Sequence, residues 1–248
     1  LTATILAVLP QRIQAGNFDR MSNISASLRL VRAGWVLARE GVLSSIPVEG
    51  LTGSAALAQR IVKLLAKRGG KSVTRELRLA RAINRLGPSY VKLGQFLATR
   101  PDIVGKQLAQ DLSRLQDKMD SFPTAQAREM IEESIGRTVD DLYLSFDDAI
   151  AAASIAQVHP AEVADNGIAK NVAVKVIRPG VRRRFANDLE SYFLVARLQE
   201  KWIPDARRLK PVEVTETLAQ TTRIEMDLRL EAAALSELRD NTKDDPGF

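Results

Sequence analysis

The 248-residue sequence predicts an α+β fold: about five helices first, then a small antiparallel sheet, then a long helix. Three observations lead there. Up to about residue 136, capping residues and Gly or Pro stops divide the chain into helix-length runs joined by short loops. From "LYLSF" through "IAQVHPAEVADNGIAKNVAVKVI" the composition turns to residues that favour strands, with an Asn-Gly turn signal inside. After "RPG" helical runs return, over Val181–Lys201 and, as one long helix, over Pro211–Asn241.

In order, residues 1–24 are mixed, with Pro10, Gly16 and Asn17, and read as irregular. Ser25–Ile46 reads as a helix. Leu28, Val31, Trp35, Ala38 and Val42 recur at helical spacing, Arg29, Arg32 and Arg39 lie beside them, and Leu30, Leu37 and Leu43 fall off the stripe. "SSIPVEGLTGS" is a linker. Ser54 caps a helix through Arg68 that Gly69 and Gly70 end, and Ser72 caps the next, which Gly87-Pro88 stops after Leu86. Ser89–Thr99 is helical up to Pro101, and Asp102 opens another helix through Lys118. Pro123 starts one that closes at Gly136. In the strand region, Asn166-Gly167 marks a turn set within a longer loop. Val172, Val174 and Val176 alternate with Ala173, Lys175 and Ile177, so Lys175 faces away from the three valines. There is no internal repeat and no low-complexity tract.

Composition narrows the function classes. A hydrophobic content of 45% suits a globular core. Cysteine is absent, which excludes disulfides and Cys-ligated metals, and a single histidine, His159, excludes a His-rich metal site. A Ser-His-Asp set would depend wholly on His159, which sits in an apparent strand. No apolar run approaches the roughly 18 residues of a membrane span. The chain opens at Leu1 and reads as a fragment of a longer protein. Charge is uneven: residues 1–71 carry ten Lys/Arg against three Asp/Glu, while the whole chain nets only +6. Such a segment suits an anionic membrane surface, or is simply a solvated helix face. Nucleic acid is not expected, because no recognised motif or aromatic-basic interleaving accompanies the charge.

Two constellations carry chemistry. A lysine on a strand, after a hairpin whose first strand follows a small-residue loop ("AAAS", Ala151–Ser154), can reach the phosphates of a nucleotide beneath the sheet. It needs a carboxylate to hold it, and the last helical run offers Glu225, Asp227 and Glu231. Glu225 and Glu231 would lie about 240° apart on a straight helix, so both cannot face one point. Taken alone, "AVKV" is a weak signal, and Lys175 also reads as simply an exposed strand lysine. The second constellation is "GPSYVKLGQFLATRPDI", in which Lys92 and Gln95 share a helix face around Gly94. A helical glycine costs about 1 kcal/mol against alanine, which points to close approach by another backbone. An ordinary amphipathic helix with a polar edge fits these residues as well.

Together these stretches resemble the UbiB family of atypical protein-kinase-like ATPases, associated with ubiquinone (coenzyme Q) biosynthesis. The resemblance rests on "KLGQ" (Lys92–Gln95), "AAASIAQVH" (Ala151–His159), "VAVKVIRPGV" (Val172–Val181) and "EMDLRLEAAALSEL" (Glu225–Leu238), in matching order and spacing. "LATRPDI" leans toward the bacterial branch. The resemblance implies a basic, partly helical segment at 1–71, a helical extension with the Lys-x-Gly-Gln motif at 72–138, and a truncated kinase-like N-lobe at 139–248. The helical extension would pack on that lobe, and the C-lobe would lie outside the chain.

By position, the resemblance makes Ala151, Ala152, Ala153, Ser154 and Ile155 the alanine-rich substitute for a glycine-rich nucleotide loop. Lys175 becomes the phosphate lysine and Glu231 its partner. Lys92 and Gln95 belong to an extension that covers the active site and meets the Glu-x-Asp element of Glu225 and Asp227. It also implies ATP or ADP with Mg²⁺, the metal ligands lying in the missing lobe. Quinone precursors or quinone-biosynthesis proteins would be partners, at the cytoplasmic face of the bacterial inner membrane. The chain by itself is expected to bind nucleotide weakly and hydrolyse none. The alternative is a non-catalytic, pseudokinase-like regulatory module that binds nucleotide or lipid.

Overall fold

The computed structural model describes residues 4–7, 23–42, 75–115 and 119–245. The helix expected over Ser54–Arg68, the linker before it and the Ser72 cap lie outside the described residues. In chain order the elements begin with β1 (Thr4–Ala7), α1 (Asn23–Arg39), α2 (Arg75–Leu86), α3 (Pro88–Ala98), α4 (Pro101–Val104) and α5 (Lys106–Ser113). Next come α6 (Thr124–Ile135), α7 (Val139–Leu142), β2 (Ser145–Phe146), β3 (Ala151–Ala152), β4 (Ala156–Asp165) and β5 (Ile168–Ile177). The last are α8 (Val181–Trp202), a 3₁₀ turn (Pro204–Leu209), α9 (Pro211–Glu225) and α10 (Leu228–Thr242). The chain divides into two compact units, one of residues 1–17, 117–182 and 219–248, the other of 18–116 and 183–218.

The first unit is built on the sheet, with strand order β1-β5-β4-β2 and β3 also pairing with β4. β2 to β5 are joined antiparallel. β4 and β5 form a hairpin paired over its whole length, from Asp165↔Ile168 to Ala156↔Ile177. The longer loop expected around Asn166-Gly167 does not exist. Asn166 (φ 53°) and Gly167 (φ 82°) form a two-residue turn, and two successive positive φ values match the twist of the strands on either side. β1 corrects the expectation of an irregular start: Thr4–Ala7 adds to β5 in parallel, Thr4 opposite Val172 and Ala7 opposite Lys175. Only an edge strand from far along the chain makes those four residues a strand. Val172, Val174 and Val176 face a core formed with Ala127 and Ile131 of α6, Val139, Tyr143 and Ala161. The helix thus seals one face of the sheet and leaves Lys175 on the other.

The second unit is helical. α1 buries its small residues, Ala26, Ala33 and Ala38, with Val36. Ala33 and Val36 pack on Ala82 and Leu86 of α2. The first part of the stripe read from sequence turns outward instead, leaving Leu28, Val31 and Trp35 exposed, while its Ala38 is buried. Small side chains let a neighbouring helix approach closely, and that contact outweighs burial of the larger ones. The single helix expected from Asp102 to Lys118 is two helices, because Gly105 at φ +82° breaks the run. Gly94 is crowded by side chains, not by a backbone: a Cβ there would lie 2.6 Å from Leu115 Cδ1 and 3.4 Å from Ile83 Cδ1 and Leu112 Cδ2. Ser89, at the start of α3, donates a short hydrogen bond to buried Asp188 of α8. Burial pushes the Asp188 carboxyl up, while the Ser89 bond and the nearby Arg29, Arg184 and Arg32 pull it down by less. Burial likewise pushes Tyr90 up to about 12, with Asp188 adding to it.

Candidate functional site

Lys175 occupies the middle of the open sheet face. Its cross-strand neighbour on β4 is Val158, and the neighbour of Val158 on β3 is Ala151. Residues directly opposite in a sheet share a face, so Ala151, Val158 and Lys175 form one row. The Lys175 ammonium reaches Glu231 at 2.8 Å from Oε1 and 2.7 Å from Oε2. Glu231 sits in the first turn of α10, where the helix dipole favours a carboxylate. The two side chains keep 30% and 39% of their exposure, so the pair is held in place yet open to an incoming anion.

The long helix expected over Pro211–Asn241 is interrupted. Glu225 ends α9, and Asp227 leaves helical geometry (φ −100°, ψ 87°) to cap α10, accepting from the Arg229 amide. A capping aspartate competes for its own backbone, and two helices result where propensity alone reads one. The straight-helix angle between Glu225 and Glu231 therefore does not apply. Asp227 also takes the Arg229 guanidinium at 2.7 Å, and that bond above all holds its carboxyl below the usual range. Lys92 and Gln95 lie half-buried on α3 in the helical unit.

The alanine-rich loop needs no glycine. Among the described residues the only non-glycine positions with positive φ are Asn166 and Lys210, so Ala151 to Ile155 all keep ordinary backbone angles. Ser154 and Ile155 are buried while Ala151 is exposed. The loop is tied down from outside. The Arg178 amide donates to the Ile155 carbonyl at 2.8 Å. Its guanidinium donates to the carbonyls of Ala153 (2.8 Å) and Asp120 (2.7 Å). The Met119 amide donates to the Ala152 carbonyl at 3.0 Å.

Behind the loop, the Gln157 side chain brackets the Phe122 backbone, accepting at 2.9 Å and donating at 3.1 Å. The same amide nitrogen donates to His159 Nε2, which leaves His159 Nδ1–H to donate to the Asp147 carbonyl at 2.8 Å. His159 is fully buried and satisfied in this network, a core histidine.

Comparison of the sequence with known proteins points to a family. The ABC1 atypical kinase-like domain matches residues 114–248. The chain belongs to the UbiB family of ABC1 atypical kinase-like proteins. It is 39% identical over 222 residues to "Probable protein kinase UbiB" of Marinobacter nauticus, covering 88% of this chain and 39% of the relative. The protein of that name from Vibrio cholerae is 39% identical over 215 residues (86% and 39%), and that of Aliivibrio fischeri 42% over 165 residues (66% and 30%). The chain thus spans about two fifths of the length of the first of these relatives. No solved structure matches it significantly.

The structure joins Lys175 to Glu231 and sets Ala151 in the cross-strand row of Lys175. Reading by motif missed Arg178 and Gln157. Arg178 was visible only as the arginine of "VIRPG", and Gln157 with His159 as polar residues two apart on the inward face of a strand.

Proposed function

We propose that the protein is an ATP-dependent atypical kinase or ATPase that supports ubiquinone biosynthesis at a membrane, binding ATP or ADP under the alanine-rich loop. One observation carries this reading: the half-open Lys175–Glu231 pair beside a loop that starts in the same cross-strand row. An ammonium fixed this way offers donors to phosphate oxygens without having to be ordered first. In this reading Lys92, Gln95, Glu225 and Asp227 contribute through the motifs that carry the family resemblance. Among the described residues no group of three or more His, Cys, Asp or Glu is placed to hold a metal. In this reading ATP or ADP binds together with Mg²⁺, and residues 1–248 alone are expected to turn over no ATP.

The membrane part of the proposal rests on α1. Ile24, Leu28, Val31 and Trp35 form an exposed ladder, with exposed Arg32 and Arg39 on the same helix. Both tryptophans of the chain are exposed, Trp35 at 49% and Trp202 at 70%. Large apolar groups flanked by cations suit the boundary of an anionic leaflet. No helix among the described residues is long and apolar enough to cross a membrane. We place the protein at the cytoplasmic face of the bacterial inner membrane, with quinone precursors or the proteins that process them as partners.

The test is replacement of the wild-type protein by Lys175→Ala in its own cell, with ubiquinone extracted and quantified. Ubiquinone should fall to the level of a deletion strain. Normal ubiquinone with a stably expressed variant would overturn the catalytic reading and favour a nucleotide- or lipid-sensing module.

A further inference from the structure

The helical unit holds a half-open cavity of about 770 Å³, and every residue that lines it lies within 18–116 or 183–218. Its walls include Leu30 and Leu37 of α1, Leu93 and Phe96 of α3 and Val195 of α8, and the 3₁₀ turn and the start of α9 complete them. The volume falls within the roughly 300–1,000 Å³ of small-molecule sites. Gly34 lines the cavity too. It sits inside α1, where glycine destabilises a helix relative to alanine. Gly94 of α3 is crowded by side chains, whereas a Cβ on Gly34 would meet nothing within 4 Å. Neither close packing nor a positive φ asks for glycine at position 34. Its missing side chain leaves the cavity open. A second lining residue, Tyr192, keeps 8% of its exposure, and its hydroxyl has no hydrogen-bond partner, while the neighbouring Ser89 hydroxyl is given to Asp188. A buried polar group left this way calls for a partner that the chain does not supply.

We infer that this cavity is a binding site for a lipid with one long, flexible apolar chain and an oxygen-bearing head, that Gly34 keeps it open, and that Tyr192 meets the head. The cavity belongs to the helical unit and not to the unit that carries Lys175, so the inference stands apart from the nucleotide reading. Apolar walls disfavour a charged or sugar-like ligand, whose polar groups would lose water without replacement. The wall helices themselves point to the source. α1 also carries exposed Leu28, Val31 and Trp35, and α8 ends in exposed Trp202. Elements that line the cavity thus present the large apolar groups that suit a bilayer boundary, where lipid chains are the ligands at hand.

The test uses the whole protein, stripped of bound lipid, with the fluorescent fatty acid cis-parinaric acid as a dissolved probe. Gly34→Ala adds helix propensity and little volume, whereas Gly34→Leu also fills the space. Each should raise the melting temperature, by about 2–4 °C. The probe should bind parent and Gly34→Ala within about threefold of each other, and Gly34→Leu at least about tenfold more weakly. Tyr192→Phe should weaken binding about three- to tenfold, the loss of one hydrogen bond. Oleate and farnesol then compete with the probe. Displacement by oleate marks a straight acyl chain, displacement by farnesol alone a branched isoprenoid chain, and displacement by neither overturns the site. A parent that binds no probe, or a Gly34→Leu variant that binds as tightly as the parent, overturns it as well. A Gly34→Leu protein that unfolds more readily than the parent shows that the space was not open and removes the cavity from the argument. Unchanged binding by Tyr192→Phe overturns the head contact. Because the probe is dissolved, a protein that ignores vesicles refutes the membrane reading and leaves this result standing.

Discussion

Removal of the Lys175 ammonium separates a binding role from a structural one. The pair it forms with Glu231 is short, 2.7 to 2.8 Å, but both side chains keep about a third of their exposure. At such exposure, solvent screening and side-chain entropy consume most of the attraction, and pairs of this kind are worth about 0–1 kcal/mol. For a chain of this size that is a shift of about 2–4 °C in melting temperature at most. An ammonium that donates to phosphate oxygens is worth more, about 1.5–3 kcal/mol per charge-assisted bond. Lys175→Ala should then weaken ATP binding about 10- to 150-fold while leaving stability nearly unchanged. Glu231→Gln keeps the shape but releases the ammonium, so it should weaken binding by a smaller factor, again with little loss of stability. Isothermal titration on the whole protein, paired with thermal unfolding of each variant, reads both quantities. If Lys175→Ala binds within about twofold of the parent, or is destabilised by more than about 3 kcal/mol, the pair is a structural brace and the reasoning fails.

Gly94→Val should destabilise the helical unit by about 2–3 kcal/mol, measured by urea unfolding, because its Cβ would fall within 2.6 Å of buried Leu115 and overpacking exceeds the gain in helix propensity. Asp188→Asn should flatten a pH dependence of stability. Burial raises the native pKa of Asp188 above its unfolded value, so the native state binds the extra proton between the two values. Stability should then fall as pH rises through that window in the parent, and denaturant unfolding followed upward from the ordinary carboxylate range should show the slope shrinking in the variant.

Some of this molecule is local information. The valines of β5 and the alternation that turns Lys175 away from them need only the pleat of one strand. The Asn166-Gly167 turn, the stop of α2 at Gly87 and the left-handed end of α6 at Gly136 follow from what glycine and asparagine permit. The residues by themselves left Glu225, Asp227 and Glu231 open as partners of Lys175, and only the resemblance carried by the motif stretches pointed to Glu231. Each of these features depends on residues within a turn or two of one another, or on a pattern carried in the chain itself.

Other features depend on which distant surface arrives. Thr4–Ala7 is a strand because β5 offers an unpaired edge, and nothing within those four residues announces it. α1 turns its alanines inward because α2 packs there, so large apolar side chains that periodicity marks as core remain exposed. One break is local yet hidden from propensity: Asp227 ends the run because its carboxylate takes the Arg229 amide and guanidinium two residues on. The Arg178 anchor joins a strand end to carbonyls 25 and 58 positions earlier, and backbone carbonyls leave no mark in a sequence. Residue types determined the chemistry available at the site. Long-range packing and main-chain hydrogen bonding decided where it is held, because both depend on surfaces that exist only after the chain has folded.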